Sequence, residues 1–485
     1  MSIRSLRALL VPALLLFIVI AAPAAAAHTV ARGLADIGLV EASHGARMTA
    51  MNDYAQLQVR YLRLGLDWSR AEPAQGVYDE TYLAAFDDIA GLARERGIKL
   101  ILTVASTPEW ASDSSLWKIH PPGQTDNGWK PCYPPAPGRN GHIDDFGAFA
   151  QYLAGRFAGK FPGTVFAYEC WNEPNLWVWL FPQERSPGDD FAVKRYEKML
   201  KAFYTGIKAG DPTAQVIAGA TAPIGQNKRY PPGTPYNRTT PQHFARALKT
   251  LGGEPYFDAY SHHPYTPGGS LETAPEALPS DPSTTVQLRN LGALLKIFPN
   301  KPFYLTEFGY NTSFSAMFGG LPLSRSTQAD YLRRAYRYAG RYPRVKALFW
   351  YLRNDESPSG LSSDMYGVYT GLRTIEGARK LSWFAFAGGN RLTLDAPRTV
   401  RRGHAAVLRG ALTSSRLGAP VTGITGRALI VQRRVGGRWR WRTLRTVRTS
   451  GAGAYRCSVH PARSGRYRLV WAGVVISPSR RIFVQ

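Results

Sequence analysis

Thr164-Val165-Phe166-Ala167-Tyr168-Glu169-Cys170-Trp171-Asn172-Glu173-Pro174-Asn175 is a strand-length, mostly apolar run that ends on an amide, a carboxylate and a proline. Gly163 bounds it on one side. Pro174 has no N–H for a central ladder and stops it on the other. The pattern predicts a buried strand that delivers Asn172 and Glu173 to its C-terminal edge. Phe303-Tyr304-Leu305-Thr306-Glu307-Phe308-Gly309-Tyr310 repeats the grammar, with Glu307 lying 134 positions beyond Glu173.

The reading extends in both directions. Strand-length runs over 37–40, 59–66, 99–104, 215–219, 257–261 and 345–351 join these two, and helix-period patterns over 49–58, 80–96, 146–157, 190–210, 242–251, 285–297 and 327–340 fall between them. In 80–96, for example, Leu83, Phe86, Ile89, Leu92 and Ala93 share one helical face before Gly97 ends the element. Eight strands alternating with helices predict a (β/α)8 TIM barrel over 28–388, a fold whose catalytic rim is built from the strand C-termini. Glu173 and Glu307 fall on that rim, at strands four and seven.

Other rim positions carry Arg63, Asp67-Trp68-Ser69-Arg70, Thr107-Pro108-Glu109-Trp110, His262-His263-Pro264-Tyr265 and Trp350. A purely structural barrel has little use for that cargo. Loops over 112–142 and 221–240 hold Trp117, Trp129, Tyr133, Tyr230 and Tyr236, rings that either wall a sugar groove or pack the loops. Trp177, Trp179 and Phe181 face the same choice between lining a leaving-group side and forming a small hydrophobic cluster. Two rim carboxylates suit retaining hydrolysis of a glycosidic bond, in which the pair stands about 5–5.5 Å apart.

At these motifs the chain resembles a known superfamily. Residues 168–175 are similar to the strand-four signature of the glycoside hydrolases whose acid/base and nucleophile sit on strands four and seven (clan A), and Thr306-Glu307-Phe308-Gly309 resembles their nucleophile strand. The likeness covers roughly residues 30 to 386. Arg63, Asn172, Glu173, His263, Tyr265, Glu307 and Trp350 match the pattern of the cellulase-like family 5. Thr107-Pro108-Glu109-Trp110 stands where that family usually carries a histidine, and with Glu72-Pro73-Ala74-Gln75-Gly76-Val77-Tyr78 it is more similar to family 39.

The resemblance implies Glu173 as acid/base and Glu307 as nucleophile, with no cofactor and no metal. Arg63 and the Tyr265 hydroxyl are expected to hold Glu307 ionised, Asn172 to bond the sugar 2-OH, and His263 to contact the acid or the sugar. Trp350 is expected as the platform at the cleavage point, with Trp110 and Trp177 as further sugar contacts. Glu169 lies deeper on the same strand and is expected to be structural, Glu109 is a weaker rival, and His262 is expected to be a packed histidine.

Composition bounds the rest. Arg4 and Arg7, an apolar stretch over 8–20 and Ala24-Ala25-Ala26-Ala27 form the three parts of a secretory signal peptide over 1–27. That stretch falls short of a membrane span, and no later segment of the mature chain is apolar enough for one. Cys132, Cys170 and Cys457 are too few for a disulfide framework and have no zinc spacing; one Cys132–Cys170 bridge or three unpaired thiols both fit.

The formal charge of +26 is uneven: residues 391–485 contain 20 Arg, no Lys and one acid, Asp395, which gives 20 − 1 = +19, so the first 390 residues carry 26 − 19 = +7. Short alternating runs between Gly and Ser turns in 391–485 predict an immunoglobulin-like β-sandwich with a cationic face, clearest at Arg438-Trp439-Arg440-Trp441-Arg442. That face is either a solvated surface or an attachment site for an anionic polymer of the cell surface or matrix, and no nucleic-acid motif accompanies it. The combined expectation is a secreted, endo-acting retaining glycosidase on a polysaccharide or oligosaccharide. A β-xylosidase-like exo-enzyme and a non-catalytic carbohydrate-binding barrel are the alternatives.

Overall fold

A computed structural model of the chain describes residues 28–119, 132–225, 234–266, 273–314, 322–356 and 368–485, apart from 416, 419–420, 435–439 and 472–474. Residues 1–27, expected to be a signal peptide, lie outside the described residues, as do Trp129, Tyr230, Arg438 and Trp439. Among the described residues no helix is long and apolar enough to cross a membrane.

Eight parallel strands close into a barrel in chain order: β1 (Ala31–Ala35), β2 (Tyr61–Asp67), β3 (Lys99–Ala105), β4 (Val165–Cys170), β5 (Gln215–Thr221), β6 (Ala259–His262), β7 (Phe303–Phe308) and β8 (Val345–Tyr351), which pairs back onto β1. Around it run α1 (His44–Gln56), α2 (Trp68–Ala71), α3 (Glu80–Glu95), α4 (Ile143–Lys160), α5 (Phe191–Gly210), α6 (Pro241–Thr250), α7 (Gly292–Ile297) and α8 (Arg325–Ala339).

Two elements depart from the sequence expectation. The first strand is 31–35 rather than 37–40, and Ile37 is 45% exposed. A Cβ on Gly33 would collide with the Phe349 ring of β8, so the barrel needs bare backbone there and β1 carries no apolar signature. The helix expected from 285 begins at Gly292, because side chains take over the preceding hydrogen bonds. The Asn290 carboxamide accepts from the Gln287 N–H at 2.8 Å and donates to the Thr285 carbonyl at 2.9 Å, a local alternative to a helical turn.

Inside the barrel Ile101, Ala167, Ile217, Ala259, Tyr304, Ala347 and Phe349 form an apolar plug. Above it the inward positions turn polar, with Glu169 accepting from both Arg63 and Thr103. A larger core separates strands from helices and includes Trp68, Phe146, Phe203 and Trp350.

After α9 (Leu381–Ala387) come β9 (Gly389–Leu392), β10 (Thr399–Val400), β11 (Ala406–Ser415), β12 (Thr422–Gly423), β13 (Ala428–Arg434), β14 (Trp441–Arg448), β15 (Ala454–Val459), β16 (Gly465–Trp471), β17 (Val475–Ile476) and β18 (Arg480–Val484). One sheet runs β10-β18-β16-β13-β14 with β17 on β16, the other β12-β11-β15 with β9 on β11. Leu408, Leu412 and Tyr455 of one sheet and Leu429, Val431, Tyr467, Leu469 and Ile482 of the other share a separate core, as in a β-sandwich. All three cysteines are free thiols, so no bridge joins Cys132 to Cys170.

Candidate active site

β4 ends at Cys170, and the chain then leaves the ladder through left-handed backbone, with φ 69° at Trp171 and 40° at Glu173. Such angles cost non-glycine residues roughly 1–3 kcal/mol each and persist where surrounding contacts enforce them. Here the Trp171 N–H donates to the Val104 carbonyl at 2.9 Å and the Glu173 N–H to the Ala220 carbonyl at 3.0 Å. The Trp171 indole is 1% exposed and donates to the Trp179 carbonyl at 2.8 Å. Anchored on both sides, the turn holds Glu173 at the barrel mouth.

Arg63 is the hub below it. Its guanidinium donates from Nε to Glu169 Oε2 at 2.7 Å, from Nη1 to Glu307 Oε1 at 2.6 Å and from Nη2 to Asn172 Oδ1 at 2.8 Å. One planar fork therefore ties strands two, four and seven together, which a lysine's single ammonium would not do. Burial opposes charge on both Arg63 and Glu169, yet the ionic contacts outweigh it. Glu169 and Glu307 hold Arg63 above its ordinary range, and Arg63 with His263 holds Glu169 below the usual carboxylate range. Glu169 is fully buried and also accepts from Thr103 Oγ1 at 2.7 Å, the structural part its depth on the strand suggested.

The two rim glutamates have different partners. Glu307 accepts from Arg63 through one oxygen and from the Tyr265 hydroxyl, at 3.0 Å, through the other. Burial first, then the Glu307 charge, pushes the Tyr265 phenol well above its ordinary value, so it stays a donor. Glu173 Oε1 instead meets His263 Nδ1 at 2.8 Å, while His263 Nε2 lies 3.1 Å from Thr306 Oγ1. Donor atoms of Glu173, His263 and Glu307 all lie within 4.8 Å of one another. These are ligand types for a divalent cation. Protein groups already engage both His263 nitrogens and both Glu307 oxygens, and a set of that kind fits a proton-transfer site better than a metal cage.

Residues 40–356 match the family described as Cellulase (glycosyl hydrolase family 5), more than half of the 485-residue chain. The chain belongs to glycosyl hydrolase family 5. Solved structures of similar fold include a family 39 glycoside hydrolase from the gut symbiont Bacteroides cellulosilyticus WH2, at 18% identity over 89% of this chain and 80% of that one, with a TM-score of 0.51. Another is GH5_18 from Streptomyces cattleya in complex with GlcNAc, at 13% identity over 75% of this chain and 80% of that one, TM-score 0.51. At such identities the likeness is one of fold. No curated protein sequence matches the chain. The family match resolves the choice between families 5 and 39 in favour of 5, with Thr107-Pro108-Glu109-Trp110 as this family 5 chain's own departure.

In this family 5 barrel one aromatic expectation needs correcting. Trp350 is fully buried, donates from its indole to the Thr370 carbonyl at 2.8 Å and packs edge-on against Phe308, so it faces the helix layer and is no sugar platform. Tyr351, one residue on, has the inward parity of Ala347 and Phe349, and its hydroxyl lies in the field of Glu307 and Glu173. Sequence reading missed Tyr351 because a tryptophan drew the attention; strand alternation from Phe349 was the signal that pointed to it. Trp110 is half-buried, donates to the Glu72 carbonyl at 3.0 Å and stands edge-on to Trp68 and His142. Trp177 is half-buried and packs against a satellite cluster of Leu116, Tyr133, Phe181 and Phe191, as does Tyr236. His262 is buried between Thr221 and the Val286 carbonyl, and burial pushes its pKa down to about 3, so it is a neutral packed histidine. Arg63, Asn172, Glu173, His263, Tyr265 and Glu307 are brought together.

Proposed function

We propose that the protein is an exported retaining glycosidase that cleaves an O-glycosidic bond of an oligosaccharide or polysaccharide by double displacement. The observation that carries this reading is the approach of Glu173 and Glu307 to within 4.8 Å, each on its own kind of partner. An inverting pair would stand about 6.5–9.5 Å apart to admit water.

Glu307, oriented by Arg63 and Tyr265, attacks the anomeric carbon as the bond to the leaving oxygen breaks, and Glu173 gives that oxygen its proton. The products of this half are the freed alcohol and a glycosyl ester on Glu307. Glu173, now a carboxylate, takes a proton from water, whose oxygen displaces Glu307 and restores both groups. His263 suits both halves: its Nδ1 donates to a carboxylate or accepts from an acid, with Thr306 Oγ1 answering at Nε2. Arg63 holds the Asn172 oxygen, which fixes the amide and leaves its NH2 end to donate to a sugar hydroxyl.

The 1–27 pattern supports export, and the charge of 391–485 supports attachment of the tail module to an anionic polymer. Endo action is supported by the long, ring-bearing stretches over 112–142 and 221–240 that follow strands three and five. The test is hydrolysis of a panel of aryl glycosides and soluble polysaccharides by wild type, Glu173→Gln and Glu307→Gln, with product anomers read by NMR. The expectation is retention, loss of at least 10³-fold in Glu307→Gln, and internal cleavage products of mixed length. Inversion would remove Glu307 as nucleophile, single-sugar release would replace endo by exo action, and binding without cleavage would make the barrel a carbohydrate-binding protein.

A further inference from the structure

The sandwich carries an organised cationic surface rather than a scatter of arginines. On the larger sheet, Leu429, Val431, Tyr467, Leu469 and Ile482 point into the core, so the alternating positions Gln432, Arg466, Arg468, Arg481 and Phe483 share the outer face. Their register makes them neighbours across strands: Thr443 pairs with Gln432, Gln432 with Arg468, and Arg466 with Arg481.

Two rings belong to this face. The Arg468 guanidinium lies 4.2 Å from the centre of the Trp441 ring while its Nε donates to Gln432 Oε1 at 2.9 Å, and the Arg481 guanidinium lies 4.8 Å from the Phe483 ring. Arg466, Arg481 and Phe483 are exposed, Trp441 and Arg468 half-buried. The whole module owns a single acid, Asp395, and that carboxylate sits on Arg409 at 2.8 Å. The face thus has planar cations held in place by aromatic stacking and a side-chain amide, with no internal anion to meet them.

We infer that the outer face formed by Trp441, Arg466, Arg468, Arg481 and Phe483 binds an acidic glycan, with sugar rings against the aromatics and carboxylate or sulfate groups on the guanidinium forks. The inference deepens the attachment reading above and rests on it. The choice of a glycan follows from the glycosidase barrel on the same chain, for which a tether to an acidic polysaccharide raises the local substrate concentration.

The test uses the full chain in affinity electrophoresis through polygalacturonate, neutral galactomannan and duplex DNA, at low and at 0.3 M salt. Wild type should be retarded by polygalacturonate and not by galactomannan. Arg466→Gln/Arg481→Gln should weaken that binding at least tenfold, while Arg409→Gln/Arg456→Gln, paired with each other on the smaller sheet, should leave it within twofold. Arg468→Lys keeps the charge and loses the fork, and a threefold or greater loss supports the stacked geometry. Turnover of a small aryl glycoside should be the same in all variants, which separates failure of this inference from failure of the catalytic reading. Equal loss in both double variants, or retardation by DNA as strong as by polygalacturonate, overturns it.

Discussion

Arginine is used in opposite ways in the two parts of the molecule. In the barrel each of several half-buried or buried arginines ends on carboxylates: Arg63 on Glu169 and Glu307, Arg156 on Glu80 and Asp87, Arg195 on Asp113, Arg373 on Asp53. In the sandwich 20 arginines share one acid, and the Arg409–Asp395 pair they do form is 72% and 63% exposed. The difference follows from solvation. A charge removed from water needs a partner in the same chain, whereas a charge left in water can wait for a partner from outside. Net charge therefore speaks for the surface of one module and says nothing of the chemistry in the other.

The sharpest way to break this contrast is Arg63→Ala, which strands Glu169 in the barrel. Denaturant unfolding should show a loss of about 3–5 kcal/mol, and activity should fall with it. Arg63→Lys should recover only part of both, since an ammonium donates from one atom and cannot span acceptors that the guanidinium reaches from Nε, Nη1 and Nη2; full rescue would mean that charge alone matters there.

Next, the two neighbours on β8 should separate packing from chemistry. Trp350→Ala should cost about 3–5 kcal/mol of stability yet leave kcat per folded molecule near wild type. Tyr351→Phe should leave the melting temperature almost unmoved and lower kcat/KM roughly five- to tenfold, the worth of one hydrogen bond. The opposite result would restore Trp350 to the groove.

A third, smaller effect concerns Glu356, beside Gly38 and Asp36 on the β8 side of the rim. Burial, then the Asp36 charge, pushes it from 4.5 up to about 7. Because the folded state binds this proton more tightly, the stabilisation is complete below pH 4.5 and is lost as pH rises through about 7. Glu356→Gln should therefore melt progressively higher than wild type from pH 4.5 to 7, with a constant difference above that range. A difference independent of pH would refute the raised proton affinity. Smallest of all, Arg409→Ala should shift stability by less than about 0.5 kcal/mol, as expected for an exposed pair.

Legibility varied with how local the signal was. The Glu173 and Glu307 strands were readable because an apolar run ending on a carboxylate before Pro174 or Gly309 is a pattern in consecutive residues. Arg63, His263 and Tyr265 were found by position on a rim and by resemblance, and their bonds to the glutamates fit that placement. The first strand escaped because Gly33 is selected by the Phe349 ring, more than 300 residues away in sequence, and not by strand propensity. Trp350 misled because one step along a strand reverses the face a side chain presents.

By itself, then, the sequence determined the alternation of strands and helices, the two carboxylates and their order, the separation into a mildly basic barrel and a strongly cationic tail, and the β character of that tail. Those properties are periodicities, turn residues and charges, all of which are carried along the chain. Only the tertiary structure decided that one guanidinium serves Glu169, Asn172 and Glu307 at once, that Tyr351 rather than Trp350 turns toward them, and that Trp441 and Arg468 stack beside Arg466 and Arg481 on one face. Each depends on closure of a barrel or register of a sheet. Those operations bring together residues from distant strands, and no local stretch records them.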